Sequence, residues 1–455
     1  RQAYQKKGPA VLILPKDFGW DKIEDNFRNN AAAHKIVPNF PAPRKEQIDK
    51  ALELIKEAKN PIIYFGHGAQ DASAELKEFS DKFKMPLVSS VLGKGIVEDE
   101  FPAYMGSIGR VGAKPSNDIQ THADLVVWVG NNSPFSIFFF NPKAKVIQID
   151  INSERLGKRH AVTVPMLADS KKTLRALLEA GDGRGESPFY KAALADRENW
   201  EAWLESFNDS DEIPMRVEPI FDVINKKAAN DAVFAVDVGN VNINFDRLMH
   251  LHDDQKWTTS GLYATMGYGA PAALAAATIY PKREVWNLAG DGGFAMMNQE
   301  LLTQARYNMH IINVVFTNET LGYIEAEQVD ESHQPLSGVK LPDNDWAMSA
   351  EGMNVKGFTV RTKREFEDAV AAAQQMEGPL LIDCKITHDM PYSTELNTLD
   401  DPAFVAKYDA QALKPFSYFA GKYGVEADAA SGASEHTEAE PVEAKEDASS
   451  GASRH

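Results

Sequence analysis

The chain has 455 residues, of which 43% are hydrophobic and 25% charged, and its formal net charge is −18. That length accommodates two or three domains, and the composition is ordinary for a soluble globular protein. The acidic excess argues against nucleic acid or an anionic membrane surface as the main partner. No stretch approaches the roughly 20 apolar residues needed to span a bilayer, and no signal peptide is expected. Cys384 is the single cysteine, so an intrachain disulfide is excluded and a reducing, cytoplasmic setting is expected.

In chain order, the first residues read as the end of a helix, and Gly8-Pro-Ala-Val-Leu-Ile-Leu-Pro15 reads as a strand. Residues 1–20 are therefore expected to be the remnant of an N-terminal domain. Residues 16–48 are polar and punctuated by Pro38, Pro41 and Pro43, as in an interdomain linker. From Gln47 to Ala58 the spacing predicts a helix, with Ile48, Ala51, Leu52 and Ile55 on one face. Pro61-Ile-Ile-Tyr-Phe65 is a predicted strand ending in the turn Gly66-His-Gly-Ala69, and the helix after it carries Leu76, Phe79 and Phe83 on one side. Leu125–Val129 and Lys145–Asp150 are two further strands. Strands alternating with helices point to a doubly wound parallel sheet over residues 21–180.

Residues 181–188 read as a linker, and a second α/β unit follows over 189–424. Its strands are Ala232–Val236, Val285–Leu288, Ile311–Phe316 and Leu380–Asp383. Cys384 ends the last of these and is expected to be a buried structural residue, not a nucleophile. From about Glu426 the chain turns to Ala, Ser, Gly and Glu, with Glu435, Glu438, Glu440, Glu443, Glu446 and Asp447 almost unopposed. Residues 425–455 are expected to be a disordered acidic tail, since they hold too little apolar surface to offset their ordering entropy.

The sharpest local signal is Gly290-Asp-Gly292, which closes the apolar run Glu284–Gly290, with Asn318 closing the next run, Ile311–Asn318. Two parallel strands joined by a helix bring Asp291 and Asn318 to neighbouring strand ends, where α/β sheets bind ligands. A carboxylate and an amide carbonyl there are hard oxygen ligands suited to Mg²⁺ held together with a diphosphate. Gly292 and Gly293 allow the backbone to approach that diphosphate closely. A second copy, Gly181-Asp-Gly183, lies among turn-forming residues with no strand before it and reads as linker.

Three segments carry a family resemblance: Thr258-Thr-Ser-Gly-Leu-Tyr-Ala-Thr-Met-Gly-Tyr-Gly-Ala-Pro271, Asn287-Leu-Ala-Gly-Asp-Gly-Gly293 and Val314-Val-Phe-Thr-Asn-Glu-Thr-Leu-Gly-Tyr-Ile-Glu-Ala-Glu-Gln328. Together with Gly106–Pro115, Val129–Phe135 and Gln148–His160, they make residues 1–424 resemble the pyruvate oxidases that depend on thiamine diphosphate and FAD. The resemblance implies a central FAD-binding domain at 21–180 and a C-terminal domain at 189–424 that binds the diphosphate of thiamine diphosphate and Mg²⁺. It implies Asp291, Asn318 and the main-chain carbonyl of Thr320 as metal ligands. It implies Met266 as the residue that wedges between the two rings of thiamine diphosphate, and the Ala264 carbonyl as acceptor for the 4′-amino group. Val238, Gly239 and Asn240 match the loop near the diphosphate.

Tyr323, Ile324 and Glu327 match the helix that closes over the thiazolium, core packing being the alternative for Ile324. Phenylalanine is usual in the family where Tyr323 stands; the tyrosine keeps the ring and adds a hydroxyl that needs a partner. For FAD, Gly66, His67, Gly68 and Ala69 match the turn facing the pyrophosphate, and Arg110 matches the arginine lying along the flavin. Asn131, Asn132 and Phe135 match the flavin edge, while Asp150 and Asp169 match the contacts to ribose and adenine.

The implied reaction is oxidative decarboxylation of pyruvate with phosphate and O₂, giving acetyl phosphate, CO₂ and H₂O₂. The implied assembly is a homotetramer, a dimer of dimers. In the family a glutamate on the N-terminal domain protonates the aminopyrimidine ring, and no glutamate here is assigned that role. The chain is therefore expected to be a fragment that binds FAD better than thiamine diphosphate and turns over little. Rival readings are a quinone-dependent pyruvate dehydrogenase, an acetolactate synthase and, in another class, an inactive nucleotide-binding scaffold.

Overall fold

The structure is a computed structural model that describes residues 3, 10–26, 40–132, 140–331 and 334–388. Two six-stranded sheets organise it, and every strand pair in both is parallel. The first sheet contains β1 (Pro61–Phe65), β2 (Leu87–Ser89), β3 (Tyr104–Ser107), β4 (Leu125–Val129), β5 (Lys145–Asp150) and β6 (Val164–Leu167), in the order 3-2-1-4-5-6. The second contains β7 (Val233–Val236), β8 (Lys256–Thr258), β9 (Val285–Gly290), β10 (Ile311–Thr317), β11 (Lys356–Val360) and β12 (Leu380–Lys385), in the order 11-12-10-9-7-8. Helices cover both faces, so the central strands β1, β4 and β10 are buried along their whole length. A continuous apolar run is what a strand covered on two faces requires.

Helices α1 (Lys45–Glu57), α2 (Ser73–Phe83) and α4 (Ser170–Ala180) pack one face of the first sheet, and α3 (Lys114–His122) the other. Helix α1 starts earlier than its apolar period predicts, because the Gln47 side chain accepts from the Arg44 N–H at 3.0 Å and caps it. Its buried face is Ile48, Ala51, Leu54 and Ile55, with Leu52 only partly covered. Helix α5 (Pro188–Glu205) joins the two units: Phe189, Ala192 and Ala193 lie in the first sheet's core, and Trp200, Trp203 and Leu204 in the second's. Around the second sheet lie α6 (Val217–Lys227), α7 (Asn240–Leu248), α8 (Gly269–Ile279), α9 (Asp291–Met297), α10 (Glu300–Arg306), α11 (Gly322–Ala326), α12 (Trp346–Glu351) and α13 (Lys363–Ala373).

Residues 181–187 have no regular structure, and Gly181 packs against Phe83 and Leu52 while Arg184 donates to the Ala58 carbonyl at 2.8 Å, so this GDG copy lies on helix ends of the first unit and not at the carboxyl end of a strand. The strand expected up to Pro15 is not formed. Val11, Leu12, Ile13 and Leu14 are exposed, and a lone extended segment has no neighbour with which to pair its backbone groups. The acidic tail, Phe135 and residues 389–424 lie outside the described residues.

Candidate active site

In each sheet the strand order reverses direction between two interior strands, and a crevice opens there at the carboxyl ends of the strands. In the first sheet the reversal falls between β1 and β4. The turn Gly66–Ala69 follows β1 and Gly130-Asn-Asn132 follows β4. The two segments touch: the Gly68 N–H donates to the Gly130 carbonyl at 2.8 Å, and a Cβ on Gly68 would lie 2.7 Å from that oxygen. His67 and Gly68 are exposed toward the crevice end, while Asn131 is buried, its Nδ2 donating to the Phe65 carbonyl at 3.4 Å.

Asp150 ends β5, buried, with Oδ1 accepting from the Asn152 N–H at 2.8 Å and Oδ2 making no hydrogen bond. Burial raises its carboxyl above the usual range. An acidic side chain at a strand end, whose second oxygen has only the Arg155 guanidinium at 3.9 Å and no hydrogen bond, suits a ribose hydroxyl donor. Asp169 is engaged differently, as the cap of α4: its carboxylate accepts from the Lys172 N–H at 2.9 Å. Asn132 accepts from Arg159 Nε at 3.3 Å.

In the second sheet the reversal falls between β7 and β9, so Asp237–Asn240 and Gly290–Gly293 flank the crevice, with Asn318 beyond β10. Asp291 is buried. Its Oδ1 accepts from the Gly292 N–H and its Oδ2 from the Glu319 N–H, both at 2.8 Å. Burial pushes this carboxyl up to about 6 despite those donors. The Asn318 side-chain oxygen accepts from the Thr320 N–H at 3.3 Å. Thr320 bridges antiparallel to Lys340, and the flanking bonds run from Leu321 N to Val339 O and from Leu341 N to Glu319 O. In that pattern the bridged residue's own N–H and C=O point to the other edge, the side of Asn318.

The donor set is thus one carboxylate, one amide and one main-chain carbonyl, all hard oxygens that fit Mg²⁺. No group of three His, Cys, Asp or Glu suited to a metal occurs among the described residues. A single carboxylate holds Mg²⁺ weakly, so a diphosphate must supply further ligands.

Backbone conformations around this crevice are tight. Gly239 has φ +132° with nothing within 4 Å of a Cβ built there, an opening only glycine's backbone can present. Asn240 Nδ2 fills the space a Cβ on Gly322 would need, so the Asn240 side chain packs on the backbone at the start of α11. Ala264 (φ +50°) and Glu319 (φ +59°) are non-glycine residues held in the left-handed region, at a cost of order 1 kcal/mol each. Met266 Cε lies 3.5 Å from the Cβ position of Gly292, which brings the Met266 loop over the Gly290–Gly293 turn.

Tyr323 and Ile324 lie on α11, and Glu327 begins the π-helical turn that continues it. Ile324 is 40% exposed, so it is not a core residue of this unit. Glu327 Oε1 lies 3.5 Å from Arg110 Nη1, which joins the expected flavin arginine to the expected thiazolium helix.

Two residues in the site escaped the sequence reading. Asp237 directly follows β7, buried, and its carboxylate accepts from the N–H groups of Val238 (2.7 Å), Gly267 (2.9 Å) and Gly269 (3.0 Å), holding the turn Gly267–Gly269 that follows Met266. Its position at a strand end, just before Val238, was the available signal. His388 follows β12, with Nδ1 3.1 Å from the Asn318 carbonyl oxygen and Nε2 3.0 Å from Glu325 Oε2; Glu325 also accepts from Thr320 Oγ1 at 2.6 Å. Nothing local in the sequence marked His388, since its partners come from the end of β10 and from α11.

Comparison with known proteins supports the same division. Residues 48–177 match the family described as thiamine pyrophosphate enzyme, central domain, and residues 237–384 match thiamine pyrophosphate enzyme, C-terminal TPP binding domain. The chain is 39% identical over 440 residues to pyruvate oxidase of Lactiplantibacillus plantarum, covering 94% of this chain and 73% of that protein. It is 33% identical over 393 residues to the putative thiamine pyrophosphate-containing protein YdaP of Bacillus subtilis, covering 86% and 67%. It is 29% identical over 405 residues to a probable acetolactate synthase large subunit of Methanocaldococcus jannaschii, covering 84% and 67%. With these matches lying over both crevices, the chain belongs to the thiamine pyrophosphate enzyme family, in the superfamily of the acetolactate synthases and pyruvate oxidases.

Proposed function

We infer that this chain carries the catalytic centre of a pyruvate oxidase, which converts pyruvate, phosphate and O₂ to acetyl phosphate, CO₂ and H₂O₂. The observation that carries this reading is the meeting of Arg110 with Glu327, 3.5 Å apart, from the ends of different sheets. A flavin that takes electrons from the decarboxylated substrate must lie next to the thiazolium, and this contact supports such proximity. When bound, thiamine diphosphate supplies an electron sink for loss of CO₂ from a 2-oxo acid, and FAD an acceptor for the two electrons released.

Asp291, Asn318 and the Thr320 carbonyl hold Mg²⁺, and Gly239, Asn240, Gly292 and Gly293 admit the diphosphate by close backbone approach. Met266, followed by the turn that Asp237 holds, orients the rings, and the Ala264 carbonyl accepts from the 4′-amino group. Tyr323, Ile324 and Val238 line the reacting end and exclude water from it. Glu327 holds a proton beside the substrate carbonyl. Arg110 places a cation where negative charge develops on reduction of the flavin. Gly66–Ala69, Asn131, Asn132, Phe135, Asp150 and Asp169 hold the rest of FAD, with Asp169 contributing through the end of α4 that it caps.

Exposed Leu262, Tyr263 and Ile324 beside the site support burial against a further copy; the tetramer and the cytoplasmic setting belong to the same proposal. Among the described residues no helix is long and apolar enough to cross a membrane. The test is product analysis of the whole protein with pyruvate and phosphate in air. Acetyl phosphate and H₂O₂ in equal amounts are expected; acetolactate without H₂O₂ would instead assign the chain to the synthases.

A further inference from the structure

Helix α7 has contacts at both ends that no single role explains. Its first residue, Asn240, meets Gly322 in the thiamine crevice. Its last turn crosses to the other sheet, where two consecutive buried residues grip one loop. Ser107 Oγ donates to Asp246 Oδ1 at 2.9 Å. Arg247 Nε donates to the carbonyls of Gly112 (2.8 Å) and Val111 (3.3 Å), and its Nη2 to the carbonyl of Arg110 (2.9 Å). Arg247 is 7% exposed, and a planar guanidinium reaching three successive carbonyls fixes a backbone direction that a single point charge cannot. From the other side Asn117 holds Gly109, accepting from its N–H at 2.8 Å and donating to its carbonyl at 3.1 Å. The turn Gly109–Gly112 is therefore pinned along its whole length, and the one long side chain it presents is Arg110, which reaches Glu327.

We propose that Arg247 is a positioning residue for the redox step: it locks the loop bearing Arg110 to the helix that begins in the thiamine crevice, and so sets where the Arg110 cation lies against the flavin. This rests on the reading of Arg110 as the flavin arginine. Arg247 touches neither substrate nor flavin; its effect passes through the backbone of residues 110–112. A displaced cation stabilises the reduced, anionic flavin less, so loosening the loop lowers the flavin reduction potential without touching the pyruvate site.

The experiment compares wild type, Arg247→Lys, Arg110→Gln and the double variant as FAD-loaded holoproteins, reading the flavin midpoint potential, the anaerobic rate of flavin reduction and KM for pyruvate. Lysine keeps the charge but cannot span the three carbonyls. Arg247→Lys is expected to shift the balance of oxidised against reduced flavin by about tenfold, which is about 30 mV for a two-electron couple, with KM unchanged. In the Arg110→Gln background the same change is expected to do nothing further.

A potential that ignores Arg247→Lys, or an equal additional shift in the double variant, overturns the proposal while leaving the oxidase reading intact. A wild type that binds no flavin overturns the oxidase reading and this proposal with it. Should Arg247→Lys not fold, amide exchange of the wild-type holoprotein decides. The segment 107–113 is expected to open together with α7, and exchange far faster than that of α7 overturns the coupling.

Discussion

Arg110 and Glu327 form an ion pair 3.5 Å long between a loop after β3 and the turn after α11, with side chains 44% and 38% exposed. A pair that open to solvent contributes about 0–1 kcal/mol, so its significance is positional. Arg110→Gln and Glu327→Gln should each leave unfolding stability within about 1 kcal/mol of wild type. Glu327→Gln should lower kcat by about a hundredfold. Thermal denaturation and steady-state kinetics on the same preparations check both; a fall in stability that matched the loss of rate would mean the pair is structural.

Asp237 holds the turn just after Met266 through the N–H groups of Gly267 and Gly269. Charge-assisted bonds of this kind contribute about 1.5–3 kcal/mol, and asparagine offers one acceptor oxygen for three N–H groups. Asp237→Asn should weaken binding of thiamine diphosphate with Mg²⁺ by at least about tenfold and leave FAD affinity unchanged. Calorimetric titration of each cofactor measures this directly. Equal losses for both cofactors would show a general disturbance of the fold.

The resemblance of residues to a family led to most of this site, but the sheet ends had to be seen before Asp237 could be placed. The interior strands were legible because β1 and β4 are continuous apolar runs and β9, β10 and β12 are mostly apolar, interrupted by Asn287, Asn313 and Asp383, close to the pattern of a doubly covered sheet. Strands β2, β3, β6, β8 and β11 were not read from the sequence. They are short, lie at or next to a sheet edge, and three of them carry side chains that are not fully buried, as in Val164–Leu167, Lys256–Thr258 and Lys356–Val360. Arg247 and His388 were invisible for another reason: their partners are main-chain carbonyls and side chains far away in sequence, and no local spacing encodes them.

Asp246 gives a pH dependence of definite sign. Burial, offset in part by Lys94, the Ser107 hydroxyl and Arg247 and reinforced by Asp99, raises its carboxyl from 3.8 to about 6. Between these values the folded chain keeps a proton that the unfolded chain has lost, so this group's contribution to stability falls as pH rises from about 4 to about 6. Asp246→Asn still accepts from Ser107 but has no charge to bury. Its stability relative to wild type should therefore rise across that window by on the order of 1–3 kcal/mol. Urea unfolding at pH 4, 5, 6 and 7 tests it, and a difference independent of pH would contradict the assignment.

The two crevices should also respond differently to a chelator. On the proposed reading the Asp291, Asn318 and Thr320 oxygens would hold the diphosphate only through Mg²⁺, whereas binding at the Gly66–Ala69 turn would need no metal. Dialysis of the holoprotein against EDTA should release thiamine diphosphate and retain FAD, as read by cofactor analysis of the retentate. Loss of both together would place the metal in a common structural role.

The most direct test of the account is an anaerobic absorbance spectrum of the whole protein, loaded with FAD, thiamine diphosphate and Mg²⁺, before and after pyruvate. Adjacent cofactors predict that the oxidised flavin band bleaches on addition of pyruvate and returns with O₂. A flavin that stays oxidised while CO₂ is released would contradict the oxidase reading and leave FAD a structural part of the fold.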